Sequence, residues 1–292
     1  MRFDSYHPMI NLIYFTAAII CTVWFCHPVF LAVSFGCAFV YSVKLGGWKN
    51  LVLNLCLVVL AAGYTAWYSY YNHFGVTNLR PNFIGNQITL ESVVYGFVRG
   101  MTAATVVIWF CCIFKLITAD KIVYLFGRIS PKLSLFLSIL LLTVPRIKVR
   151  AKRIEISREG IGRGIAQGNP LERLLHLFGL ISILITWTLE DFVESSNSMK
   201  SRGYSLKGRT AFSIYRFDNR DRCLVIAFFW CLTFVMMAVL LDQTKIYYDP
   251  VIIMNRITLL SFVFYAAYAV FLILPMILQI AGEWRFEKLR KK

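Results

Sequence analysis

Acidic residues and histidines are scarce in this chain, which contains 15 aspartates and glutamates and 4 histidines among 292 residues. The acidic residues of the apolar segments form no pair at a common depth, and the four histidines are scattered along the chain. The eight cysteines form no C-x-x-C pair and lie mostly inside apolar runs, where we interpret them as packing residues. Because metal ligation and acid–base catalysis require such groupings, the sequence predicts no metal site, no cofactor and no enzymatic activity.

A complete nucleotide-binding motif is also missing. Residues 203–210 read G-x-x-x-x-G-R-T, but an arginine replaces the lysine of a phosphate-binding loop and no strand precedes the segment. Gly160, Gly162, Gly164 and Gly168 follow a basic helical stretch instead of a strand, so they also lack the setting of a nucleotide fingerprint. We therefore expect nucleotide to bind to partner proteins and not to this chain.

Long uncharged apolar runs make up much of the sequence, which is 58% hydrophobic. Runs of roughly 20 apolar residues are long enough to cross a bilayer, and lipid admits such segments only as helices because it cannot satisfy open backbone groups. Aromatic residues typical of a membrane interface cluster at one end of the third run: Tyr64, Trp67, Tyr68, Tyr70 and Tyr71. The sequence predicts an all-α, polytopic integral membrane protein with about six membrane-embedded helices, at residues 9–26, 28–43, 49–71, 89–118, 223–241 and 257–281.

Positive charge indicates the orientation of these helices. The 31 lysines and arginines give a formal net charge of +16, which could indicate nucleic-acid binding. They concentrate beside apolar segments, however, as basic residues do in the cytoplasmic loops of membrane proteins. With the N-terminus inside, the outer loops hold only Arg80, Lys245 and Arg256, and the basic tail over 285–292 lies inside. We therefore expect a multi-pass protein of the cell membrane with both termini cytoplasmic and with no nucleic-acid partner.

The region over residues 119–222 differs from the segments on either side. Apolar stretches at 133–144 and 174–189 alternate there with densely basic ones. If the first stretch crossed the membrane, the basic residues after Pro145 would fall outside, against the charge rule. The sequence therefore predicts N-terminal membrane helices over 1–118, a cytoplasmic helical domain over 119–222, and C-terminal membrane helices with a basic tail over 223–292.

Two arginine–glycine elements close the long helices expected in this cytoplasmic domain. Isoleucines recur at helical spacing after Pro145, which predicts an amphipathic helix that starts there and runs to Gly162-Arg163-Gly164. A second helix should run from about Leu171 to Ser201-Arg202-Gly203. A glycine at a helix end allows a left-handed cap, and an arginine there presents a planar, permanently charged head with five donors. Each element either caps its own helix or docks into another protein, and the presence of two favours docking.

A further candidate site lies in the fourth predicted span. Gly96, Gly100 and Ala104 recur every four residues, a spacing that lets membrane helices approach closely. Arg99, about ten residues into the same helix, is costly in lipid unless it faces protein or water. These four residues are predicted to form a helix-packing face towards another span of this chain or towards a partner subunit. For Arg99, a functional role and a purely structural one both stay open.

These features together resemble the transmembrane T component of energy-coupling factor (ECF) transporters over most of the chain. The family pattern has Ala-Arg-Gly twice, and here Gly162 and Ser201, which are also small, replace the alanines. The other residues that carry the resemblance are His7-Pro8 before the first apolar helix, Pro28 in the next, Arg99 in a later span, and Pro145-Arg146.

The resemblance implies a non-catalytic energy-coupling subunit of an ABC-type importer that takes up a vitamin or a metal ion. It implies that two ABC-type ATPases bind this subunit, with Arg163 and Arg202 inserted into grooves of the ATPases, and that a membrane-embedded S component holds the cargo. Two other classes stay open. One is a membrane enzyme that acts on anionic lipids, and the other is a self-sufficient secondary carrier, towards which only Arg99 points.

Overall fold

The structure is a computed structural model that describes residues 3–81, 87–204, 206, 215–255 and 257–290. Arg256, Lys291 and Lys292, which contributed to the predicted orientation, lie outside the described residues, as does most of the 203–210 segment. The chain folds into two compact units. We call Met1–Thr118 together with Tyr215–Lys292 the bundle unit, and Ala119–Ile214 the hairpin unit.

The described residues form nine α-helices and one short pair of strands. In chain order these are α1 Pro8–Trp24, α2 Pro28–Gly46, α3 Trp48–Tyr71, β1 Asn78–Pro81, β2 Gln87–Thr89, α4 Leu90–Leu116, α5 Ala119–Ile129, α6 Pro131–Glu159, α7 Pro170–Ser201, α8 Asn219–Leu240 and α9 Leu259–Arg290. The two strands pair antiparallel, with Asn78 opposite Thr89, and join α3 to α4. Helices α5, α6 and α7 belong to the hairpin unit, and the other six helices belong to the bundle unit.

Six helices are long and apolar enough to cross a membrane: α2, α3, α4, α7, α8 and α9. The chain is therefore an all-α, multi-pass membrane protein, as predicted. Five of the six coincide with predicted spans, the sixth is α7, and α1, which was predicted as a span, is not among them. Helix α1 has 17 residues, about 26 Å at the usual rise, which is less than the roughly 30 Å of a bilayer core. Helix α7, which the sequence analysis assigned to the cytoplasmic domain, is an uninterrupted helix of 32 residues with an apolar centre.

The predicted helix start at Pro145 is wrong. Pro145 lies inside α6, which begins at Pro131 and ends at Glu159. A proline removes one backbone hydrogen bond, but the leucines before it and the lysines, arginines and glutamates after it are good helix formers, so the helix continues. The apolar stretch 133–144 and the basic stretch that follows therefore form one helix of 29 residues, about 44 Å long.

Prolines begin four of the helices: α1, α2, α6 and α7. The first turn of a helix leaves its N–H groups unpaired, so a residue without an N–H loses nothing there. In both His-Pro pairs the histidine caps the helix. His7 Nδ1 accepts the Met9 N–H at 3.3 Å, and His27 Nδ1 accepts the Val29 N–H at 3.2 Å. These two histidines therefore have a structural role.

An aromatic cluster around Tyr14 forms the core of the bundle unit. The Tyr14 ring centroid lies 5.4 Å from that of Phe228, 5.3 Å from that of Phe271 and 6.1 Å from that of Trp109. Its hydroxyl donates to the Leu272 carbonyl at 3.0 Å, which satisfies the one polar group of the ring in the core. The cluster joins α1, α4, α8 and α9.

Helices α6 and α7 form an antiparallel hairpin. Arg150 of α6 makes an ion pair with Asp191 of α7. Further along α6, the Arg158 guanidinium lies against Gly179 of α7, where an added methyl group would be 2.6 Å from Arg158 Nη1. Because the contacts move back along α7 as they move forward along α6, the two helices run in opposite directions.

Candidate functional site

Helix α6 is followed by a Schellman motif built on Gly162. The Gly162 N–H donates to the Glu159 carbonyl at 3.1 Å, and the Arg163 N–H donates to the Arg158 carbonyl at 2.9 Å. Gly162 has a φ of 75°, the left-handed conformation that this motif requires and that glycine adopts without strain. Arg163 therefore directly follows the left-handed glycine.

Helix α7 ends in the same motif, built on Gly203. The Gly203 N–H donates to the Lys200 carbonyl and the Tyr204 N–H to the Met199 carbonyl, both at 3.0 Å, and Gly203 has a φ of 71°. Arg202 is the C-cap residue, so it directly precedes the left-handed glycine.

The two arginine–glycine elements are therefore not equivalent in backbone position. A left-handed glycine behind the arginine was predicted for both, and it occurs at Gly203 but not at Gly164. Gly164 instead allows the connecting backbone to pass close to the end of α6, because an added methyl group would lie 3.2 Å from Glu159 Cα. Ser201, the residue before Arg202, donates its hydroxyl to the Ser198 carbonyl at 2.9 Å.

Both arginine side chains are exposed. Among the residues that the structure describes, neither Arg163 nor Arg202 forms an ion pair. The Arg158 Nε donates to the Arg163 carbonyl at 3.4 Å, which ties the backbone of this element to α6 and leaves the Arg163 guanidinium outside the contact. Each helix end therefore presents a cation that can bind an anionic group of another molecule.

The two arginines lie at opposite ends of the hairpin. Arg163 follows the end of α6 and lies in the connection to α7, whereas Arg202 lies at the far end of α7. Helix α7 has 32 residues, so this separation is about 48 Å at the usual helical rise. One rigid element thus carries two exposed cations at a spacing set by helix length.

An apolar groove of about 680 Å³ lies between α6 and α7 towards the end that carries Arg202. Its walls include Leu135, Ile139, Ile147, Phe192, Met199 and Tyr204. Most large apolar side chains of α7 are also exposed, among them Leu175 at 67% and Phe178 at 59%. A helix that is apolar on most of its surface requires cover from lipid or from protein.

The small-residue face of α4 packs against α3. A methyl group added at Gly100 would lie 2.9 Å from the Ala61 carbonyl oxygen, and one added at Gly96 would lie 3.3 Å from Tyr68 Cδ1. Ala104, the third residue of the pattern, is 5% exposed. Gly96 and Gly100 therefore serve the close approach of two helices within this chain.

Arg99 lines a cavity of about 360 Å³ in the bundle unit. Its Nε donates to the Tyr95 hydroxyl at 3.0 Å, and its Cζ lies 5.2 Å from the centroid of the Tyr95 ring. Tyr248 packs against the same ring at 5.6 Å and donates its hydroxyl to the Cys26 carbonyl at 2.8 Å. Burial raises the pKa of Tyr248 to about 12.

Sequence reasoning identified Arg99 but missed the residues that surround it. The other cavity residues come from five places along the chain: Cys26, Tyr68, Phe74, Tyr95 and 246–249. Tyr68 was interpreted only as an interfacial anchor. The signal that could have indicated a partner for Arg99 was the lack of a carboxylate at helical spacing from this intramembrane arginine.

Within the described part of the chain, no three His, Cys, Asp or Glu side chains come together in a group that could hold a metal ion. No protein-family model matches this chain, and no curated protein matches its sequence significantly.

Proposed function

We propose that this chain is the transmembrane energy-coupling subunit of an ECF-type ABC importer in the cell membrane. In this role it links two cytoplasmic ABC-type ATPases to a membrane-embedded S component that binds a vitamin or a metal ion. The observation that carries the proposal is the α6–α7 hairpin with an exposed arginine at each end. The resemblance to the T component, described above, supplies the identity of the partners.

The hairpin has the properties that a coupling element needs. Two packed helices make a stiff rod, and the ion pair of Arg150 with Asp191 together with the Arg158 contact to Gly179 fixes one helix against the other. A guanidinium can form bidentate, charge-assisted hydrogen bonds with a carboxylate of a partner. Two docking points about 48 Å apart allow two ATPases to bind the same rod.

The charges that flank α7 support a position on the cytoplasmic side. Arg163 precedes the helix and Arg173 lies in its first turns, while Lys200 and Arg202 lie at its other end. If α7 crossed the membrane, one of these basic groups would lie outside, against the positive-inside rule. A crossing would also place the two arginines on opposite sides, where they could not both reach cytoplasmic ATPases. The long apolar surface of α7 is then covered by the S component and by lipid at the membrane surface.

Coupling follows from this arrangement. When ATP closes the two ATPases, their docking grooves move relative to one another, and the cations at the ends of the hairpin move with them. The apolar surface of α7 transmits this motion to the S component, which reorients and releases its cargo inside. The chain itself transmits force and binds no nucleotide.

Charge reversal at both arginines tests the proposal. Loss of one partner of a desolvated charge pair typically costs about 2–5 kcal/mol. We therefore expect the double variant Arg163→Glu, Arg202→Glu to lose co-purification of the ATPases from the native host, while membrane insertion and S-component binding persist.

The matched control is the double variant Lys152→Glu, Arg153→Glu. Both residues are exposed in the C-terminal half of α6, at least ten residues before Arg163, and the change in net charge is the same. We expect this variant to retain the ATPases. Equal retention of the ATPases by both double variants would contradict docking through the hairpin ends, and purification of the unaltered chain without any ABC-type ATPase would contradict the function itself.

A further inference from the structure

The cavity around Arg99 contains two opposite charges that do not meet. Arg99 and Asp249 both line it, and no ion pair joins them. Within the described residues, neither side chain has any other ion-pair partner. Two charges of opposite sign that line one cavity without forming an ion pair are complementary to a molecule that carries both a cation and an anion.

The Arg99 guanidinium is held in place for such a ligand. Tyr95 fixes it through the hydrogen bond to Nε. The Tyr95 ring is in turn packed between Tyr68 at 5.4 Å, Phe74 at 5.6 Å and Tyr248 at 5.6 Å. One of the five guanidinium N–H groups is thereby used, and the fork that binds phosphate oxygens stays open.

The cavity lies at the depth of a lipid head group. Tyr68, which lines it, belongs to the aromatic cluster at the end of α3, and such clusters mark the interface between membrane and water. Residues 246–249, in the connection between α8 and α9, line the same cavity. Trp67 and Phe97, which are one and two residues along the chain from the lining residues Tyr68 and Tyr95, are more than half exposed, as acyl-chain contacts require.

We infer that this cavity binds the head group of a zwitterionic phospholipid of the phosphatidylethanolamine type. The phosphodiester binds to Arg99. The ammonium group lies towards Asp249 and the tyrosine rings, which attract cations through their faces. The acyl chains run along the apolar surface of α3 and α4. This inference does not depend on the proposed coupling function.

The test is native mass spectrometry of the purified full chain with added diacyl phosphatidylethanolamine, with diacyl phosphatidylglycerol, or with water-soluble glycerophosphoethanolamine. We expect the unaltered chain to retain one phosphatidylethanolamine molecule in preference to phosphatidylglycerol. Arg99→Gln should lower that occupancy about tenfold or more, since a charge-assisted hydrogen bond is lost. Asp249→Asn, in an exposed loop, should abolish the preference for phosphatidylethanolamine while leaving phosphatidylglycerol retention unchanged.

Arg285→Gln is the control, because Arg285 is an exposed arginine at the end of α9, far along the chain from the cavity residues. It should retain lipid as the unaltered chain does. Equal occupancy in Arg99→Gln and the unaltered chain would overturn the inference, as would binding of glycerophosphoethanolamine without retention of the diacyl lipid. A preference for phosphatidylethanolamine that survives Asp249→Asn would overturn the zwitterion assignment.

Discussion

Replacement of Gly100 by alanine should force α3 and α4 apart. The new methyl group would lie 2.9 Å from the Ala61 carbonyl oxygen and 3.4 Å from Ala61 Cα. Both atoms belong to the backbone of α3, so a side-chain rotation cannot relieve the contact and the helix itself must shift. Overpacking of this kind costs about 1–3 kcal/mol, and the higher helix propensity of alanine offsets up to about 1 kcal/mol of it. We therefore expect a net loss of about 1–2 kcal/mol.

Two other glycines provide a graded comparison. At Gly96 the nearest atom, Tyr68 Cδ1, is 3.3 Å from the added methyl group and belongs to a side chain, so the loss for alanine should be smaller. At Gly36 in α2 no atom lies within 4 Å, and alanine should be neutral or slightly stabilising.

The assay is the free energy of unfolding in mixed micelles, measured for Gly100→Ala, Gly96→Ala and Gly36→Ala. The expected order of stability is Gly36→Ala, then Gly96→Ala, then Gly100→Ala. If Gly100→Ala unfolds with the same free energy as Gly36→Ala, then α3 and α4 do not approach as closely as described, and the reasoning from the small-residue face fails.

Two further predictions concern pH and topology. Burial lowers the pKa of His27, so the free energy of unfolding should be constant above about pH 6.5, the usual pKa of histidine. It should fall below that pH, because the unfolded chain binds a proton that the folded chain resists. Thermal unfolding of His27→Asn, which keeps a capping oxygen, should show a weaker fall with pH, and an unchanged slope would contradict this. Single cysteines at Gln167 and Leu206, on either side of α7, should both be shielded from an impermeant thiol reagent in right-side-out vesicles, whereas cysteines at Asn78 and Val251 should react. Labelling at only one of Gln167 and Leu206 would mean that α7 crosses the membrane.

Much of the bundle unit could be predicted from the sequence because lipid imposes a simple rule. Apolar runs of membrane-spanning length form helices, and the His-Pro pairs at 7–8 and 27–28 mark two of their starts. The error at Pro145 arose because proline usually ends a helix, whereas strong helix formers on both sides carry α6 past it. The second helix of the hairpin, expected from about Leu171 to Ser201, is observed over Pro170–Ser201 because the turn signal before it and the glycine cap behind it were both evident in the sequence.

The candidate sites show where local reasoning ends. The arginine–glycine elements were evident from three residues each, but their backbone positions differ because the left-handed glycine precedes the arginine at Gly162 and follows it at Gly203. A cap of this kind is decided by the hydrogen bonds of the last turn, which sequence spacing does not specify. The partners of Arg99 were beyond prediction because Tyr68 and Tyr248 are 180 residues apart in the chain, and only the packing of the bundle brings them together.

Site-specific cross-linking at the hairpin ends tests the central claim most directly. A photoreactive phenylalanine at Ile161, beside Arg163, and one at Tyr204, beside Arg202, would occupy exposed positions without removing either arginine. In native membranes we predict cross-links from both positions to ABC-type ATPases, and none from a control position at Lys152, in the C-terminal half of α6. Absence of ATPase cross-links at both Ile161 and Tyr204 in a preparation that still contains the ATPases would contradict the account.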